Sequence, residues 1–260
     1  SKGIPIVNLL QVEKDERVNA VIQISRKEDS KYLLFATEAG VVKKTLISEF
    51  DNIRNSGKIC ISLREDDKLI GVKKTTGNDL VLLGSDSGRM VKFNEDEIRV
   101  MGRTASGVRG ISLDGSKCIC SEIVKEEDTI LLVTEKGYGK QTKVSEYRQT
   151  RRGSKGVKAM NITEKNGNLV SVKIVHEGKE LVIMTNSGMT MRMPLDQISV
   201  LGRVTQGLRL INLKDNQKVS TISLVDKPEE EISEESIEQC ENVAQNELEV
   251  TENIQNTEAE

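Results

Sequence analysis

The sequence predicts an all-β fold, a propeller-like disc of four-stranded blades, and three observations predict it. Four apolar runs each lead into a glycine turn: "YLLFATEAGVVKKT", "LVLLGSDSGRMVKF", "ILLVTEKGYGKQT" and "LVIMTNSGMTMRM", with turn glycines Gly40, Gly88, Gly137 and Gly188. A second glycine series, Gly57, Gly107, Gly156 and Gly207, lies in "SGKICISL", "SGVRGISL", "KGVKAMNI" and "QGLRLINL" and keeps the same period of about fifty residues. No segment carries a helical period over twelve residues, although "VSEYRQ" and "PLDQIS" read as single helical turns.

Within each repeat the first apolar run reads as a buried strand, and the glycine turn returns the chain into a second strand that mixes apolar and basic residues. A third strand is expected from the second glycine. A fourth follows as "KLIGVKK", "KCICSEIV", "NLVSVKIV" or "KVSTISLV", so each repeat is expected to build one four-stranded blade. The opening "SKGIPIVNLL" matches the second glycine and third strand. We therefore expect half a blade before four complete ones, with further sequence upstream. After Pro228 the chain turns Glu-rich with few apolar residues, and residues 229–260 are expected to be a disordered acidic tail beside a β-domain of residues 1–228.

Composition narrows the function classes. The formal charge of −3 divides unevenly: twelve of the 41 acidic residues are Glu in 229–260, leaving 38 basic against 29 acidic residues, a net of +9, in the rest. One histidine, His176, cannot supply a multi-His metal site and leaves little room for nucleophile–base triads. Cys60, Cys118, Cys120 and Cys240 contain no C-x-x-C pair and read as thiols of a reducing cytoplasm. "TEKGYGKQT" fails as a P-loop, with Thr134 where Gly and Gln141 where Ser or Thr would be needed. The acidic turns "REDD" and "NEDE" read as solvated faces. No cofactor is expected.

What recurs is positive charge. The loops before the third strand read "FDNIRNSGK", "VMGRTASGVR", "TRRGSKGVK" and "VLGRVTQGLR". Arg103, Arg152 and Arg203 precede the glycine by four positions, and Arg109, Lys158 and Arg209 follow it by two. Lys44, Lys92 and Arg192 share a position on the second strand, where the third repeat has Gln141, and the third loop adds Arg151 and Lys155. Equivalent positions of a cyclic array share radius and height, so these eleven residues are expected to form a cationic band that holds the phosphates of duplex DNA. Aromatic residues are 2% of the chain, too few for the stacking platforms that single strands usually use.

Several of these stretches carry a resemblance. "GIPIVNLLQVEKDERVNAVI", "GVVKKTLISEF", "GKICISLREDDKLIGV", "IRVMGRTASGVRGI", "TEKGYGKQTKVSEY" and "ISVLGRVTQGLRLI", together with the acidic tail, resemble the C-terminal domain of the DNA gyrase A subunit over residues 3–228. The resemblance implies a β-pinwheel whose blades exchange strands with their neighbours. It also implies that DNA wraps around the basic rim in a positive, right-handed sense, presenting a duplex segment to the breakage and reunion core for ATP-driven negative supercoiling. The family's box, Gln-Arg-Arg-Gly-Gly-Lys-Gly, has a counterpart in Thr150–Gly156 that agrees at five of seven positions. The family carries its box in the first blade, whereas this copy lies in the third complete repeat and reads as a related loop of a later blade.

By the same resemblance the chain is a non-catalytic part of a topoisomerase, lacking the catalytic Tyr and winged-helix core. Its implied partners are duplex DNA, the gyrase A catalytic core and the gyrase B subunit, in the bacterial cytoplasm at the nucleoid and not at a membrane. The acidic tail is expected to compete with DNA for the rim. Two alternatives remain at this level: a topoisomerase IV-type C-terminal domain, and a propeller that recruits proteins through its face.

Overall fold

The computed structural model describes residue 18 and residues 20–24, 29–51, 57–214 and 216–227. The N-terminal "SKGIPIVNLL", Arg54, the boundary at Pro228 and the acidic tail lie outside the described residues. The chain divides into two units, residues 1–225 and 226–260; Asp226 and Lys227 alone represent the second among the described residues.

Among the described residues, fifteen strands follow the repeats. The first repeat gives β1 (Tyr32–Thr37), β2 (Val41–Leu46) and β3 (Leu69–Thr75). The second gives β4 (Leu80–Ser85), β5 (Arg89–Asn94), β6 (Val108–Arg109) and β7 (Cys118–Val124). The third gives β8 (Thr129–Thr134), β9 (Tyr138–Lys143), β10 (Val157–Lys158) and β11 (Leu169–Ile174). The fourth gives β12 (Lys179–Thr185), β13 (Thr190–Pro194), β14 (Leu208–Arg209) and β15 (Val219–Asp226). Single 3-10 turns close the second strands at Ile47–Phe50, Glu95–Glu97, Val144–Glu146 and Leu195–Gln197. The last two fall on "VSEYRQ" and "PLDQIS", as the sequence predicts.

One expectation needs correction: a blade is not built from one repeat. The sheets are ordered β3-β1-β2-β6, β10-β5-β4-β7, β11-β8-β9-β14 and β13-β12-β15. Each short third strand crosses into the preceding sheet, β6 onto β2, β10 onto β5 and β14 onto β9. Residues 57–62, the expected third strand of the first repeat, form no strand. This exchange agrees with the pinwheel that the resemblance implies. It is reinforced by turn-glycine carbonyls that accept from the next repeat: Gly110 N–H to Gly40, Ala159 N–H to Gly88 and Leu210 N–H to Gly137, each at 2.8 Å.

The core lies between successive sheets. Val81 and Leu83 pack with Leu34 and Val42 on one side, and Leu82 packs with Ile130 and Leu132 on the other. Leu131 and Val133 in turn meet Leu181 and Ile183. Because side chains alternate across a strand, a strand covered on both faces must be apolar at successive positions. That is why β4 and β8 read as unbroken apolar runs rather than as alternating ones.

Lys140 shows how strictly the second strands of the first three repeats are buried. It is fully buried, and its Nζ donates to the carbonyls of Gly202 (2.8 Å), Arg203 (2.7 Å) and Thr205 (3.3 Å), which fixes the loop of the next repeat. Burial lowers its pKa from the ordinary 10.5 to about 8. Between those values the unfolded chain binds a proton that the folded chain does not, so stability rises with pH across this window and is flat below it. Chemical denaturation from pH 7.5 to 10.5 should show that rise, on the order of 1–3 kcal/mol. Lys140→Met should lack this contribution, so the stability difference between wild type and variant should carry the rise.

Candidate nucleic-acid interface

The eleven expected cations separate into three structural groups. Lys44 and Lys92 are not part of an exposed band, being only 4% and 2% exposed. Lys44 Nζ donates to the carbonyl of Glu95 at 2.8 Å and lies over the Tyr32 ring. Lys92 Nζ donates to both carboxylate oxygens of Glu126 at 2.7 Å and to the carbonyl of Val144 at 3.3 Å. The third repeat's Gln141, also buried, donates from Nε2 to the carbonyl of Leu195 at 2.6 Å. In each case the backbone acceptor is the first residue of the next repeat's 3-10 turn. The position is a strut between repeats, and its in-phase recurrence reflects that coupling. Arg192, at the same position in the fourth repeat, is exposed and ion-paired with Glu180.

Arg103, Arg152 and Arg203 are half-buried clips. Arg152 Nε donates to the carbonyl of Glu97 at 2.9 Å and its Nη1 to the carbonyl of Arg109 at 3.1 Å, while its backbone N–H donates to Glu97 Oε2 at 3.0 Å. Arg203 repeats the arrangement one repeat later, its N–H donating to Glu146 Oε2 at 2.8 Å and its Nη1 to the carbonyl of Lys158. Arg103 pairs more loosely with Glu49 Oε2, at 3.8 Å. The Arg152 and Arg203 clips hold an exchanged strand by its own carbonyl, which leaves that strand's cationic side chain pointing out.

Arg109, Arg151, Lys155, Lys158 and Arg209 are exposed. Arg109, Lys158 and Arg209 sit on β6, β10 and β14 at equivalent register, opposite Val41, Arg89 and Tyr138. Lys155 pairs with Asp114 Oδ2 at 2.7 Å, and that bond holds the Asp114 carboxyl below its usual value. Both partners are more than half exposed, so the pair is weak and a phosphate can displace it. Lys158 Nζ donates to Asn161 Oδ1 at 2.8 Å. The box-like loop is itself anchored, with Thr150 N–H on the carbonyl of Lys92 (2.7 Å) and Gly153 N–H on that of Gly110 (2.6 Å). The exposed cations therefore stand on fixed backbone, a preorganised surface for a polyanion.

Sequence reading missed three features of this site. Arg89 is exposed beside Lys158 and donates to the carbonyls of Lys155 (3.0 Å) and Gly156 (3.2 Å). Its equivalents are Val41, Tyr138 and Met189, so a search for recurrence passes over it. Glu49, Glu97 and Glu146 do recur, each nine residues after a turn glycine, and that spacing was a readable signal. Glu95 of "NEDE" is fully buried rather than solvated, accepting from Thr75 Oγ1, Gly77 N–H and Asp79 N–H at 2.7–3.0 Å.

Comparison with known proteins agrees with this architecture. Residues 31–76, 79–119, 128–176 and 179–226 match the family model "DNA gyrase C-terminal domain, beta-propeller", and its four segments coincide with the four repeats. The chain is 44% identical over 234 residues to the DNA gyrase A protein of Staphylococcus epidermidis, covering 88% of this chain and 26% of that protein. With its Staphylococcus aureus counterpart it is 43% identical over 239 residues, covering 90% and 27%. It thus spans about a quarter of the length of these relatives. Among solved structures, a DNA gyrase A C-terminal domain superposes with a TM-score of 0.75 at 25% identity, covering 86% of this chain and 75% of that one. A topoisomerase IV C-terminal domain superposes at 0.79 with 24% identity, covering 86% and 71%. The second likeness bears on the fold alone, since the sequence matches are to gyrase. By its four matched repeats and its strand exchange, the chain belongs to the DNA gyrase C-terminal domain family of β-propellers.

Proposed function

We propose that this chain is the non-catalytic duplex-DNA binding and wrapping module of a gyrase A protein. In this reading DNA runs along the exposed cations of the exchanged strands, Arg109, Lys158 and Arg209, with Arg89, Arg151, Lys155 and Arg192 beside them. The wrap presents a duplex segment to the gyrase A catalytic core, and together with the gyrase B subunit the holoenzyme introduces negative supercoils, in the bacterial cytoplasm at the nucleoid. The observation that supports it most is the recurrence of one exposed cation per exchanged strand at equivalent backbone positions. Sequence-independent phosphate contact needs that regularity and little else.

The reading is tested by duplex affinity against salt. If these seven cations each neutralise one phosphate, log K should fall against log salt with a slope of about −6. A slope near zero would remove the reading.

A further inference from the structure

A pocket of about 360 Å³ lies between the Gly137 turn and the loops that follow β10 and β14. It is lined by four cations, Lys136, Lys165, Arg209 and Lys214, around Tyr138, and among the described residues no carboxylate lines it. Its volume falls in the range of small-ligand sites, about 300–1,000 Å³.

The polar groups are arranged for an anion. Arg209 donates from Nε (3.3 Å) and Nη2 (3.0 Å) to the Tyr138 hydroxyl and from Nη1 to Asn212 Oδ1 (3.0 Å). The hydroxyl oxygen is thus occupied as an acceptor, and its own proton is left to donate to a ligand. Lys165 Nζ stands 5.7 Å from the Tyr138 ring centroid. Lys136 is held by the carbonyl of Glu164. Clustered cations repel one another, a cost that a bound anion removes.

The repeat framework does not call for this clustering. Where the third repeat has Lys136, the first and second have Ala39 and Ser87. Where the fourth has Lys214, the first has Arg64 and the second and third have Asp114 and Thr163. Lys136 and Lys165, whose equivalents in the other repeats are uncharged or acidic, are the departures from the repeat, and both line this concavity.

We propose that this pocket binds a condensed phosphate, a di- or triphosphate chain, free or as the tail of a nucleotide. Four cations in a concave site overmatch one DNA phosphate, which carries a single charge on a convex backbone. A di- or triphosphate carries three or four charges on a body that the cavity holds. The site lies next to the DNA surface and shares Arg209 with it, but it does not depend on the DNA reading.

The test is calorimetric titration of the full 260-residue chain with inorganic triphosphate, pyrophosphate, orthophosphate and ATP at physiological ionic strength. Lys165→Gln/Lys214→Gln is compared with the control pair Arg109→Gln/Lys158→Gln. Triphosphate should bind at least tenfold tighter than orthophosphate, the pocket pair should lose at least tenfold, and the control pair should be unchanged. ATP binding equal to triphosphate would identify the phosphate chain as the whole ligand; tighter ATP binding would identify a nucleotide. Equal binding of ortho- and triphosphate, or equal losses in the two pairs, would overturn the proposal. It would also fall if the pocket pair lost affinity for duplex DNA and not for triphosphate. Duplex affinity of the control pair reports on the DNA reading separately.

Discussion

Reversing the charge on the three exchanged strands at once, Arg109→Glu, Lys158→Glu and Arg209→Glu, should cost at least about 100-fold in duplex affinity and flatten the salt slope by about 3. The three side chains are exposed. What holds β6, β10 and β14 in place is chiefly backbone: the ladder to the preceding sheet and, for β6 and β10, the clips on the carbonyls of Arg109 and Lys158, while on β14 the exposed Arg209 side chain adds bonds to Tyr138 and Asn212. The triple variant should therefore unfold close to the wild-type midpoint. Substituting the struts gives the opposite pattern. Lys92→Ala removes a buried ammonium that satisfies Glu126 and the carbonyl of Val144. It should lower stability by about 2–3 kcal/mol while leaving the salt slope of the folded protein unchanged. Fluorescence anisotropy on a labelled duplex, paired with urea unfolding, separates the two. A triple variant with unchanged slope would place the DNA elsewhere.

That contrast shows what was legible in the sequence. Glycine spacing revealed the period, because a tight turn and a close backbone approach each demand glycine at a fixed place in every copy. The buried runs and every strand but the third of the first repeat followed from the same period. The partner of the third strand did not, since a two-residue strand such as Val157–Lys158 satisfies any exposed edge and nothing within one repeat says which. The site divided along a similar line. Recurrence marked Arg109, Lys158 and Arg209, and it marked Lys44 and Lys92 equally, because contact with a ligand and contact between repeats both recur in phase. A lysine on a strand whose neighbours are Val91 and Phe93, both fully buried, was the local sign that Lys92 points inward. Arg89 and the pocket around Tyr138 break the repeat, so a reading built on recurrence could not find them.

The exchange predicts its own weak point. Gly156 has φ +66°, and a Cβ there would stand 2.1 Å from the carbonyl oxygen of Met90 and 2.5 Å from its carbon. Both atoms belong to β5, the strand that β10 must join through Val157 and Met90. Gly156→Ala therefore combines an unfavourable φ with a backbone collision that no side-chain rotation relieves, and should cost about 3 kcal/mol or more. Gly178, at φ +73° with nothing within 4 Å of its Cβ position, isolates the first effect; Gly178→Ala should cost about 1 kcal/mol. Urea midpoints measure both. Equal losses would mean that the approach of β10 to β5 carries no weight in stability.

The central claim is that duplex DNA follows the exchanged strands as a wrap. It is tested most directly by relaxing closed circular plasmid with a nicking–closing enzyme in the presence of this chain, then removing the protein. A positive shift in linking number that grows with protein and disappears in the Arg109→Glu/Lys158→Glu/Arg209→Glu variant is the predicted result. No shift with the wild-type chain, or the same shift with the variant, would contradict it.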